Sequence, residues 1–263
     1  MTHPRPYYQS PDGMITLFLG DCREILPLVA PPSDNVIVLA DPPYGVGHTR
    51  VINRHGTEGV PRRGGGRLKS GKNRVWTELA SDCDPFDSEH LIVYQRSLIW
   101  GWNHFSDTLP PTPSLVIWDK REGFGADDGA DGEVAWSNLG GPARIFRHLW
   151  RGALRASERN DVHVHPTQKP EAFYRWLFAG RGRGKPIVNP GDLVVSPYLG
   201  SGPEIAPTME LGLRFIGIDV EREYLDTAIK HRIEPAIQRG RQLDIWAPRP
   251  KREEQLDLAG RSA

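Results

Sequence analysis

A chain of 263 residues can bury the core of one domain carrying a sizeable insertion, and its 33 basic and 33 acidic side chains exclude a globally polyanion-binding charge. Two cysteines, Cys22 and Cys83, form neither a metal-ligand pattern nor a disulfide framework, so no metal and a reducing, cytoplasmic setting are expected. No apolar run reaches the roughly 18 residues of a membrane span, and no basic segment leads into an apolar one as in a signal peptide, so a soluble protein without a membrane partner is expected.

In chain order, Met14 to Leu19 and Val36 to Ala40 read as strands, and Asp87 to Arg96 reads as a helix carrying Leu91, Ile92 and Tyr94. Ser97 to Trp100 and Leu115 to Trp118 are further strands, Glu171 to Ala179 a helix with Phe173, Trp176 and Leu177, and Leu193 to Val195 and Arg214 to Ile218 the last strands. Glu221 to Gln238 is the clearest helix, with Leu225, Ile229, Ile233 and Ile237 as a buried stripe. Most of the strands are nearly continuous in apolar character rather than alternating. That pattern belongs to a mostly parallel, doubly wound α/β sheet whose two faces are both covered by helices. A single domain over 1–240 and a polar, disordered tail over 241–263 are expected.

Two segments carry local positive charge. From Gly45 to Val75, eight basic residues including Arg50, Arg54, Arg62, Arg63, Lys69 and Lys72 face the single acid Glu58 in a glycine-rich stretch that reads as a mobile loop. The second, "ARIFRHLWRGALRASER", interleaves Arg144, Arg147, Arg151, Arg155 and Arg159 with Phe146 and Trp150. Basic residues mixed with aromatics suit a nucleic-acid surface, although a solvated face carries the same composition.

The run "VIVLADPPYG" ends a buried strand on Asp41, which places that carboxylate at the carboxyl edge of the sheet, where open α/β folds bind ligands. Pro42 and Pro43 restrict the turn and lack amide donors, leaving the Pro42 carbonyl as a second acceptor, and Tyr44 adds an aromatic plane. Two acceptors and a ring match an exocyclic amino group on a planar base, while a capping aspartate and a core tyrosine would explain the same residues. Further on, "GDLVVSPYLGSGPEIAPTMELGLRFIGID" runs from a strand through Gly200-Ser201-Gly202 to a second strand ending at Asp219. Glycines admit a ligand close to the backbone, and an acid at the next strand tip accepts from ribose hydroxyls, as in sites for adenosine-containing cofactors. Pro203 suits a first helical turn; Pro207 requires the following helix to start late or bend.

Asp41-Pro42-Pro43-Tyr44 resembles the catalytic motif of amino-group DNA methyltransferases, and Gly200-Ser201-Gly202 resembles their cofactor loop. "VHPTQKPEAFYRWL" resembles the segment preceding that loop in the β class, "FLGDCREIL" fits ahead of the catalytic strand, and the order of the motifs is that of the β class. The resemblance covers roughly Met14 to Arg232 and implies a Rossmann-like fold of circularly permuted motif order with an inserted target-recognition region, here 120–162, before a cofactor region at 163–225. It implies S-adenosylmethionine as cofactor, double-stranded DNA as partner, and methylation of adenine N6 after base flipping. A homodimer and a cognate restriction endonuclease are further partners it allows. By the same resemblance Asp41, Pro42 and Tyr44 are catalytic, Asp21 lies near the cofactor's adenine, His165 and Lys169 near its methionine end, and Asp219 at its ribose. Pro43, Ser196, Tyr198 and the glycine loop complete the cofactor set, and the arginines and lysines of the two basic segments contact DNA. The chain departs from the family pattern at Ser196-Pro197-Tyr198, where Asp-Pro-Phe is usual, with Glu204 as a compensating acid. Cytosine N4, a glutamine amide in a protein, and a non-catalytic DNA-binding role are the competing readings; Asp41 in the first motif position leans toward adenine.

Overall fold

The computed structural model describes residues 3–45, 85–123, 130–151, 154–159, 164–165, 167–182 and 186–242. Arg50, Arg54, Arg62, Arg63, Lys69, Lys72 and Cys83 lie outside the described residues, as does the segment beyond 242.

A nine-stranded sheet organises the chain. Its strands are β1 (Tyr8–Gln9), β2 (Ile15–Leu19), β3 (Val36–Ala40), β4 (Ser97–Trp100), β5 (Val116–Asp119), β6 (Gly132–Ser137), β7 (Arg144–Arg147), β10 (Leu193–Ser196) and β11 (Arg214–Asp219). Their order is β1-β2-β11-β10-β3-β4-β6-β5-β7, and all run the same way except β1 and β6. A separate hairpin pairs β8 (Trp150–Arg151) with β9 (Leu154–Arg155). The helices are α1 (Cys22–Val29), α2 (Glu89–Ile92), α3 (Glu171–Phe178), α4 (Ile205–Glu210), α5 (Arg222–Ala228) and α6 (Glu234–Gln242).

The continuous apolar strands are explained by two cores, one on each face of the sheet. Ile37 and Leu39 pack with Leu98, Trp100, Val194, Phe215 and the buried face of α3, while Val36, Val38 and Ala40 pack with Ile99, Val195, Ile218 and Leu26 of α1. Because successive side chains of a strand point to opposite faces, a strand buried on both sides has no polar positions to spare. The expectation of a mostly parallel, helix-covered sheet holds.

Local departures have local causes. The segment read as a helix over Asp87 to Arg96 is helical only over Glu89–Ile92. The Ser97 hydroxyl donates to the Leu91 and Tyr94 carbonyls, and the Asn138 amide also donates to Tyr94, so the orphan carbonyls are satisfied from outside and the chain turns into β4. Helix α4 starts at Ile205, which puts Pro207 in its first turn, where no intrahelical donor is lost. Between α5 and α6, Ile229–Ile233 forms a π turn in which the Glu234 amide donates to the Ile229 carbonyl just before Pro235, which has no amide to donate. The wider turn brings Arg232 inward beside Ile233, and its guanidinium pairs with Glu158 at 3.0 Å and Glu171 at 2.8 Å.

Candidate active site

Four neighbouring strands deliver the site. At the carboxyl edge of the sheet β11 ends on Asp219, β10 on Ser196, β3 leads into Asp41 and β4 into Gly101. Between β10 and β3 the connections diverge, one running on to β11 and the other to β4, which makes this the switch point where an open α/β sheet has its ligand crevice. A cavity of about 1510 Å³ opens there. Of the expected catalytic and cofactor residues it is lined by Asp21, Asp41, Pro42, Pro43, Tyr44, His165, Lys169, Ser196, Tyr198, Gly200, Ser201 and Asp219. Gly202 stands behind the lining, where an added Cβ would come within 2.5 Å of Ile205 Cδ1.

Asp41 is held from two sides. Tyr44 donates its hydroxyl to Oδ1 at 2.8 Å, and the Lys169 ammonium donates to Oδ2 at 2.6 Å. Lys169 is only 2% exposed; it also pairs with Glu133 Oε2 at 3.0 Å and lies 5.0 Å from the centroid of the Trp100 ring. Glu133 in turn pairs with Lys120, so cation, anion, cation and anion alternate from Lys120 to Asp41. Burial alone would raise the Glu133 carboxyl, but Lys169 and Lys120 outweigh it and hold the group down at about 2. Burial opposes the charged form of Lys169, and Asp41 and Glu133 overcome that, raising its pKa and keeping it a cation. Burial and the neighbouring Asp41 carboxylate push the Tyr44 phenol well above its ordinary value, so it remains a donor.

The Tyr44 ring stacks on His104 with centroids 5.0 Å apart and an interplanar angle of 17°. Gly101, at φ +85°, makes room for it, since a Cβ there would fall 2.4 Å from Tyr44 Cε1. Both the left-handed backbone and the ring exclude a side chain. Gly101→Ala is therefore expected to lower stability by about 2 kcal/mol and to displace Tyr44, measured by urea unfolding and by loss of Tyr44 contacts in a crystal structure of the variant.

On the other side of the crevice, the Asp219 carboxylate accepts from the Gly200 amide at 2.8 Å and the Glu221 amide at 2.9 Å, and burial raises its pKa to about 6. Gly200, at φ +50°, sits against His165, whose Nε2 lies 3.2 Å from where a Cβ would be. The His165 ring meets Tyr224 edge-on at 4.6 Å, and its Nδ1 accepts from the Thr167 amide at 3.3 Å. Asp21 caps α1, accepting from the Arg23 amide at 2.9 Å, and also pairs with the Arg23 side chain; the hydrogen bond from that side chain holds its carboxyl low. Tyr198 is joined to His90 Nε2 at 2.9 Å, and Cys22 lies 3.8 Å from the same nitrogen with burial pushing its thiol up to about 11, which leaves it inert as a nucleophile. Ser196 and Glu204 are both buried, 2% exposed each.

Arg144 and Arg147 lie on β7, away from the cavity lining, with Arg147 exposed and 3.9 Å from Asp119. Arg151 belongs to β8, whose partner strand contributes Leu154 to the lining. Gly101, His104, Lys120, Glu133, His90 and Tyr224 are site residues that sequence reasoning missed. Only Gly101 carried a signal, being a glycine directly after a buried strand. Among the described residues, no helix is long and apolar enough to cross a membrane.

Residues 135–230 match the family model described as DNA methylase. The chain is 36% identical over 256 residues to the type II methyltransferase M2.DpnII of Streptococcus pneumoniae, with 86% of this chain and 91% of that protein covered. It is 23% identical over 273 residues to the type II methyltransferase M2.LlaDCHI of Lactococcus lactis subsp. cremoris, again over 86% and 91%. Among solved structures, PvuII DNA methyltransferase (cytosine-N4-specific) superposes with a TM-score of 0.52 over 87% of this chain and 89% of that one, at 11% identity, a likeness of fold alone.

Proposed function

Since the chain belongs to the DNA methylase family of amino-group methyltransferases, we propose that it methylates N6 of adenine in double-stranded DNA, using S-adenosylmethionine, after the base has been turned out of the duplex. The observation that carries the reading is Asp41, an oriented carboxylate at the edge of a large crevice, one turn from the Tyr44–His104 stack. S-adenosylmethionine supplies an electrophilic methyl group when bound.

An exocyclic amino nitrogen is a weak nucleophile because its lone pair is delocalised into the ring. Asp41 and the Pro42 carbonyl, accepting one N–H each, draw that nitrogen toward a tetrahedral geometry and free the lone pair for in-line attack. A carboxylate has about four acceptor positions, so Lys169 and Tyr44 fix Asp41 in place and still leave room for the amino group. Stacking on an aromatic side chain, worth about 1–3 kcal/mol, offsets part of the cost of unpairing the base.

The crevice fits the cofactor by its donor set and by its shape. Gly200 brings backbone close to the cavity where a Cβ would press on His165, and Asp219 presents a carboxylate at the adjoining strand tip. Asp21, Pro43, His165, Ser196, Tyr198 and Ser201 line the same space. Arg144, Arg147 and Arg151, with the basic stretch 45–75, would neutralise phosphates, and binding then weakens steeply as salt rises. The type II names of the relatives make a restriction-modification setting, with a cognate endonuclease, part of the same proposal.

Mass spectrometry of nucleosides digested from DNA methylated by the purified protein tests the acceptor. N6-methyladenine is expected; N4-methylcytosine in its place would move the reaction to the other amino base, and neither would sink the proposal.

A further inference from the structure

Most acids around the crevice are ion-paired or accept from backbone amides. Asp21 is paired with Arg23, Asp41 and Glu133 share Lys169, and Asp219 accepts from two backbone amides. Glu204 is the most deeply buried of the acids lining the cavity, at 2% exposed, and among the described residues no cation lies within ion-pairing distance of it. Its neighbours come from every side: Ser196 of β10 donates a hydroxyl to it, Asp41 after β3 repels it, Tyr174 of α3 feels its charge, and Arg232 of the π turn attracts it weakly while committed to Glu158 and Glu171.

Resting on the cofactor reading above, we infer that Glu204 receives the α-ammonium group of S-adenosylmethionine, with the Ser196 hydroxyl beside it. The cofactor has two cationic centres, and only the ammonium carries N–H donors; a buried carboxylate needs a cation that also donates hydrogen bonds. Burial, opposed by Ser196, raises the Glu204 carboxyl to about 7. An arriving ammonium group favours its ionised form, so the part of cofactor affinity owed to this contact grows as pH rises toward 8.

Calorimetric binding of S-adenosylhomocysteine and of 5′-methylthioadenosine tests the assignment. Both have adenosine and a thioether, but only the first has an ammonium group. The wild-type chain should prefer S-adenosylhomocysteine, and that preference should grow about tenfold between pH 6 and pH 8. Glu204→Gln should shrink the preference by about tenfold and flatten its pH dependence, while leaving affinity for 5′-methylthioadenosine within about twofold, which also reports an intact fold. A Glu204→Gln protein that keeps the wild-type preference, or that loses both ligands in proportion, overturns the assignment and leaves the cofactor reading standing. A wild-type chain that binds neither ligand overturns both.

Discussion

Asp41→Ala lowers methyl transfer to DNA by about 1000-fold or more, the loss that follows removal of a preorganised acceptor or donor from a transition state. Asp41 lies beyond the last residue of β3, outside both apolar cores, so the strand and its packing survive the change. DNA binding, proposed to rest on phosphate contacts of the two basic segments, should change less than about threefold. A tritiated-methyl assay beside a gel-shift titration separates the two effects. Turnover near the wild-type rate would remove Asp41 from the chemistry.

Lys169→Met is expected to have the largest effect on stability. It removes a cation that is 2% exposed and leaves Asp41 and Glu133 facing each other without it, and breaking a buried pair from one side costs about 3–5 kcal/mol. The pH dependence carries a sign. Glu133 sits at about 2 in the folded chain, below the ordinary carboxylate range, so its contribution is fully present above about 4.5 and is lost as pH falls toward 2. With Lys169 gone, Lys120 alone opposes burial, Glu133 takes up its proton at higher pH, and acid unfolding begins earlier. Urea unfolding at pH 7 and an acid titration followed by circular dichroism measure both effects; an unchanged acid midpoint would mean that Lys169 does not govern Glu133.

How much of this was legible in the sequence depended on whether a residue's environment was set locally or by sheet register. Val36 to Ala40 and Arg214 to Ile218 announced themselves because burial on both faces demands an unbroken apolar run. The strands β6 and β7 did not: "GEVAWS" and "RIFR" mix charge with apolar residues, since their outer positions face solvent or the crevice. The helix over Glu89–Ile92 is shorter than its apolar spacing predicts because its stop is made by Ser97 and by Asn138, a residue far along the chain. Asp41, Tyr44, the glycine loop and Asp219 were legible because each ends or follows a strand, and strand ends share an edge. Glu133 and Lys120 were not, because it takes the antiparallel pairing of β5 with β6, with Trp118 opposite Glu133, to bring Lys120 just past the end of β5 diagonally against Glu133. Lys169, which the resemblance puts near the cofactor's methionine end, lines the crevice with its ammonium group on Asp41 and Glu133.

The position of β6 has a consequence for modularity. This strand is hydrogen-bonded to β4 on one side and β5 on the other, and it carries Glu133 to the lysine that orients Asp41. Residues 120–162, the span proposed to choose the DNA sequence, are therefore no detachable cassette. A chimera that imports this span from a relative exchanges two strands of the main sheet and the Lys120–Glu133 pair in one step. Grafts that keep Lys120, Glu133 and the β6 register while varying only the connections between strands should retain turnover, whereas wholesale exchange should trade catalysis for specificity.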